Sequence, residues 1–161
     1  MCETPLEFAV GKMLLDKRLT IAAAESCTGG LLSHRLTSVP GSSSYFPLGL
    51  VTYDNKWKME LLGVEKIVLD KYGAVSKEVA AAMASGVRQK AKSDLGIGIT
   101  GIAGPGGGSR EKPVGLVYIG LSYDQDTMVK QFLFQGSRDQ NKTQSAQAAL
   151  EMIKDYCQRK K

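Results

Sequence analysis

Apolar and polar positions along the chain alternate between helical and extended periods. Leu6, Ala9, Val10, Met13 and Leu14 recur on one helix face, and Thr4-Pro5-Leu6-Glu7 ahead of them offers a cap, a first-turn proline and a capping-box acid. This predicts a first helix ending near Asp16. Ile21 to Ala24 is an unbroken apolar run of the kind found in buried strands, and it stops at Glu25-Ser26-Cys27-Thr28-Gly29-Gly30. Leu31, Leu32 and Leu36 then restore the helical period to about Thr37, where Val39-Pro40-Gly41 forbids continuation. Ser42-Ser43-Ser44 reads as a loop. Phe46 to Tyr53 reads as a second strand despite Pro47 and Gly49, and Asn55 as the cap of a short helix carrying Trp57, Lys58, Leu61 and Leu62 up to Gly63.

In the second half, Ser76 caps a helix with an apolar stripe of Val79, Ala80, Met83, Ala84 and Val87. Leu95 to Thr100 is apolar, short and glycine-containing, as expected of a central strand approached closely by another backbone. It runs into a glycine-rich loop from Gly101 to Ser109. Val114 to Tyr123 and Met128 to Phe134 predict an antiparallel hairpin, and Ala146, Ala149, Leu150, Ile153 and Tyr156 a long final helix. Helices alternate with strands before the hairpin, so the expected fold is α/β, one layered domain over residues 1–161 with a mixed sheet flanked by helices.

Composition narrows the function classes. The 161 residues are 43% hydrophobic, enough for a sizeable core, and the three cysteines (Cys2, Cys27, Cys157) are odd in number and widely spaced, which argues against a disulfide framework or a zinc site. The expectation is a reducing, cytoplasmic setting, with no leader and no membrane span. The net charge of +5 is not gathered into an interior stripe; part of it lies in Arg159-Lys160-Lys161. Nucleic acid is therefore not the expected partner, although a mild positive field favours an anionic small substrate.

Three stretches follow predicted strand ends, where open α/β sheets place their ligands. Ser26 to Gly30 forms a strand-to-helix turn in which Thr28, Gly29 and Gly30 could cradle an anion or oxyanion. Tyr53 to Lys58 places a lysine early in a helix, where a cation is disfavoured and its pKa is expected to fall. Thr100 to Gly108 can approach a ligand through Gly101 and Gly104, but has neither the Gly-Lys-Ser/Thr of a Walker loop nor a dinucleotide fingerprint. The lone histidine, His34, and the absence of carboxylates at ligand spacing point away from a metal site and from a serine-histidine triad. A serine activated by a lysine remains, with Ser26 or Ser43 as nucleophile, Lys58 as base and Tyr53 beside them. Both serines also fit as helix caps or turn closures.

Together, Ala24 to Gly30, Pro40-Gly41-Ser42-Ser43, Val51-Thr52-Tyr53 with Asn55 and Lys58, Tyr72 to Ser76, Thr100 to Pro105, Glu111 to Gly115, and Phe134, Gly136, Arg138 and Asp139 resemble the CinA C-terminal domain family over nearly the whole chain. The resemblance implies a nicotinamide-nucleotide amidohydrolase of pyridine nucleotide salvage. Such an enzyme converts nicotinamide mononucleotide to nicotinate mononucleotide and ammonia without metal or cofactor, and is commonly a homodimer. It maps the family's serine, tyrosine and lysine onto Ser26, Tyr53 and Lys58, its Gly-Ser-Ser serine onto Ser43, and substrate-binding positions onto Thr100 and Arg138. The competing expectation is a nucleotide-binding or regulatory module, linked to competence or DNA damage, that turns nothing over.

Overall fold

The computed structural model describes residues 4–160; Cys2 and Lys161 of the basic tail lie outside them. Five strands, β1 (Ile21–Glu25), β2 (Leu48–Val51), β3 (Leu95–Gly101), β4 (Leu116–Tyr123) and β5 (Asp126–Leu133), form one sheet in the order β2-β1-β3-β4-β5. β1 runs parallel to both its neighbours, with Ala24 opposite Leu50 and Gly98, whereas β4 runs antiparallel to both β3 and β5. The sheet is mixed, as the alternation followed by a hairpin predicts.

Its two faces are covered by different helices. Val10 and Leu14 of α1 (Leu6–Asp16), Leu32 and Leu36 of α2 (Leu31–Thr37) and Leu150 and Ile153 of α6 (Arg138–Arg159) share a core with Ala23, Ile97, Ile99 and Ile119. Leu62 of α3 (Asn55–Leu62), Leu69 of α4 (Lys66–Tyr72) and Val79, Met83 and Val87 of α5 (Lys77–Ala91) pack on Ala22 and Ala24. Alternate residues of β1 thus serve opposite cores, the period-two consequence of a strand buried on both faces. α5 also lies directly on sheet backbone: a Cβ at Gly98 would stand 2.6 Å from Ala84 N and 2.7 Å from Ala80 O.

Local expectations needed correction at element ends. Thr4 does not cap α1; Pro5 occupies the cap position without a side-chain bond, and the Glu7 carboxylate pairs with Arg35 at 2.6 Å instead of closing a capping box. Ser42–Ser44 is a single 3-10 turn. β2 is only four residues long, because Pro47 lacks the N–H that a longer strand would need. Asp54, not Asn55, caps α3: its backbone is extended and its side chain accepts from Lys56 N at 2.7 Å. α4 has no counterpart in the sequence reading, being seven residues with no side-chain cap. Ser76 does cap α5, and Ser137 caps α6 through a full capping box with Gln140. Parallel β1, β2 and β3 end together, and their carboxyl ends carry the three chemically marked stretches.

Candidate active site

The turn after β1 is organised by a buried carboxylate. Glu25 is fully buried and accepts from Leu32 N (2.9 Å), Ser33 N (2.9 Å) and Ser33 Oγ (2.6 Å). An internal anion thus occupies the Leu32 and Ser33 amides in the first turn of α2, which are therefore not open to a ligand. The chain turns the corner with Gly29 and Gly30 at φ +60° and +102°, a region costly for other residues. Ser26, 9% exposed, is fixed from behind by its N–H donating to Ile99 O at 3.0 Å. Among the described residues, no carbonyl or side-chain oxygen accepts from the amides of Cys27 or Thr28, and the buried Thr28 hydroxyl has no partner either.

Lys58 reaches this turn from α3. It is 1% exposed, and its Nζ lies 3.1 Å from Ser26 Oγ, 2.8 Å from Thr52 O and 3.2 Å from Tyr53 O. Burial lowers its pKa from the ordinary lysine value, against the opposing pull of Asp54. The three oxygens can accept all three protons of an ammonium, and the set still works once the amine is neutral. Two N–H bonds satisfy the two carbonyls, and the lone pair is left for the Ser26 hydroxyl proton. β1 and β2 are tied at this point by Thr52 N donating to Glu25 O at 2.9 Å.

Tyr53 stands at the exposed side of the pair, where its hydroxyl accepts from Arg138 Nη2 at 3.0 Å. Arg138 Nη1 donates to Gly104 O at 2.8 Å, and Asn141 Nδ2 to Ala103 O at 3.0 Å. The first turn of α6 thereby joins the glycine-rich loop to the segment after β2. Thr100 is committed elsewhere, its hydroxyl donating to Ala74 O at 2.7 Å. Gly101 lies within β3 against the hairpin; a Cβ there would meet Leu116 O at 2.8 Å.

Ser26, Tyr53, Lys58, Gly104 and Arg138 are thus brought together; Ser43 is not. Tyr45 O accepts from Ile21 N at 2.7 Å, which puts the Ser42–Ser44 turn at the start of β1, whereas Ser26 follows its end. Five residues of strand separate the two ends, roughly 16 Å. Cys27 sits beside the pair, but burial pushes its thiol up to about 12, leaving it protonated and unreactive at neutral pH. The sequence reading missed Glu25, although a carboxylate ending an apolar run was a visible signal. It also missed Lys142, one helical turn beyond Arg138, whose Nζ would lie 3.7 Å from a Cβ at Gly29. A cleft of about 830 Å³ lies among α1, α2 and α6 and includes none of these site residues. Among the described residues no helix is long and apolar enough to cross a membrane.

Comparison with known proteins gives a consistent picture. The family model described as CinA C-terminal domain matches residues 3–157. A protein of Moorella thermoacetica named as competence-damage inducible is 59% identical over 148 residues, covering 92% of this chain and 36% of that protein. One so named from Caldanaerobacter subterraneus is 52% identical over 94% of this chain and 37% of its own length. The chain thus spans little more than a third of these curated relatives. Among solved structures, competence/damage inducible protein CihA from Agrobacterium tumefaciens superposes with a TM-score of 0.88 at 34% identity, covering 96% of this chain and 98% of that one. A CinA superfamily protein from Escherichia coli gives 0.90 at 32% identity over 94% and 88%.

Proposed function

The chain belongs to the CinA C-terminal domain family, and from that premise we propose that it hydrolyses the carboxamide of nicotinamide mononucleotide to nicotinate mononucleotide and ammonia. The observation that carries the reading is the buried Lys58 Nζ 3.1 Å from Ser26 Oγ, with its pKa lowered by burial. Lysines are seldom buried without a carboxylate, and one held against a serine hydroxyl is equipped as a base.

In the proposed reaction Ser26 Oγ bonds to the carboxamide carbon while its proton passes to Lys58 Nζ. The carbonyl oxygen becomes an oxyanion, for which the unpartnered amides of Cys27 and Thr28, directly after Ser26, are candidate main-chain donors; one such donor is worth about 3–4 kcal/mol in a comparable hole. Collapse breaks the C–N bond, and the departing amine takes the proton from Lys58 and leaves as ammonia. Water then gives a proton back to Lys58, adds to the acyl ester and releases the carboxylic acid and the Ser26 hydroxyl. Tyr53, held by Arg138, orients the amide and relays protons at the open side. Ser43, at the other end of β1, has no part in this scheme. The same reading places the reaction in pyridine nucleotide salvage in the cytoplasm and takes the working unit to be a homodimer, with Val51, Tyr53 and Trp57 exposed beside the site.

The test is ammonia release from nicotinamide mononucleotide by the full chain, with chelator present, for wild type, Ser26→Ala, Ser43→Ala and Lys58→Ala. Activity in wild type and Ser43→Ala, with loss in the other two as folded proteins, is the expected pattern. A wild type that binds the nucleotide but releases no ammonia would replace the enzyme by a nucleotide-binding module.

A further inference from the structure

α6 brings two cations to the site, Arg138 and, four residues on, Lys142. Arg138 is engaged by Gly104 O and the Tyr53 hydroxyl. Lys142 differs: among the described residues its ammonium has neither a hydrogen-bond acceptor nor a carboxylate within salt-bridge distance. A half-buried lysine ordinarily turns its charge to open water. Here the charge lies along the Gly29 corner, 3.7 Å from where a Cβ on Gly29 would stand and only three residues from Ser26. The adjoining Thr28 carries a buried hydroxyl with no partner. The one carboxylate inside the turn, Glu25, is consumed by α2.

We infer that Lys142, at the Gly29 corner, forms an anion subsite beside Ser26 that takes the phosphate of a phosphorylated substrate. Gly29 N is bonded to Ser26 O at 3.1 Å, so an anion here would meet the Lys142 ammonium over a corner that has no side chain in the way. Arg138, spent on Tyr53 and Gly104, then acts mainly as a clamp. The inference rests on the proposed reaction for the identity of its ligand, but it is tested by binding.

The experiment titrates nicotinamide mononucleotide and nicotinamide riboside calorimetrically into the full chain carrying Ser26→Ala, which removes turnover, with and without Lys142→Met. The subsite requires the mononucleotide to bind the Lys142 protein about 10- to 100-fold more tightly than the riboside. Lys142→Met should abolish most of that preference while leaving riboside affinity unchanged, and Lys142→Arg should restore part of it. A preference that survives Lys142→Met, a loss of affinity shared equally by both ligands, or no binding of either overturns the inference. If the preference depends on Lys142 but the Ser26 protein releases no ammonia, the subsite stands and the proposed reaction falls. If ammonia is released and Lys142→Met changes nothing, the reverse holds.

Discussion

Glu25→Gln is the sharpest probe of how Ser26 is held. The side chain is fully buried, and its two oxygens serve three donors: Leu32 N, Ser33 N and Ser33 Oγ. Glutamine has nearly the same shape, but one oxygen becomes an NH2 donor. If NH2 takes the Oε1 place, it faces the Leu32 N–H; if it takes the Oε2 place, it faces the Ser33 N–H, and only the Ser33 hydroxyl can reverse. Either way one buried main-chain amide loses a charge-assisted bond, a loss of about 1.5–3 kcal/mol. Relief from burying the charge offsets part of this, and weakening of the two surviving bonds adds to it, for a net of about 2–3 kcal/mol. For a chain of this size that lowers Tm by roughly 5–10 °C. Urea melts of unchanged slope would read the stability, and ammonia release would read the site, which should lose about 100-fold as Ser26 drifts with its neighbour. Ser33→Ala removes one donor and leaves the amides paired, so it should cost about 1 kcal/mol. A Glu25→Gln protein within 0.5 kcal/mol of wild type, or less damaged than Ser33→Ala, would refute the argument.

Asp54→Asn keeps an oxygen for Lys56 N but removes the negative charge that favours protonated Lys58. The base then sheds its proton at lower pH, so the rising limb of kcat/KM against pH should move to lower pH; no movement, or the opposite one, would contradict Lys58 as base. Ser26→Ala, Lys58→Ala and the double variant should be equally slow within a few-fold, since the pair acts as one unit, and multiplicative losses would show that it does not. Gly98→Ala should destabilise by about 1–3 kcal/mol in a denaturant melt, because its Cβ would stand 2.6 Å from Ala84 N and α5 must back away; a neutral change would mean that α5 does not rest on the strand as described.

Where the apolar period was long, the sequence was readable. β1, α5, the β4–β5 hairpin and α6 all came from runs whose packing partners repeat their pattern. α4 did not, since seven residues give the period too little length and no side chain caps it. Cap identity was also hidden, because Asp54 and Asn55 are equally good caps in sequence and only the extended backbone at Asp54 decides between them. Ser26, Tyr53 and Lys58 could be singled out by residue type after strand ends. The choice between Ser26 and Ser43 could not, because it depends on a parallel register that puts Tyr45 beside Ile21. Nor could the Arg138 to Tyr53 contact, which spans 85 residues and exists only through tertiary packing.

The order in which the chain is synthesised gives that last contact a meaning. Ser26 and Lys58, 32 residues apart, both leave the ribosome well before Arg138, and β3, which holds Ser26 from behind, is made between them and α6. A nascent chain that has not yet released α6 carries the serine and the lysine but nothing to fix Tyr53 or the Gly104 carbonyl. The site therefore closes only after α6 has been made and has docked, later than the elements that carry its serine and lysine.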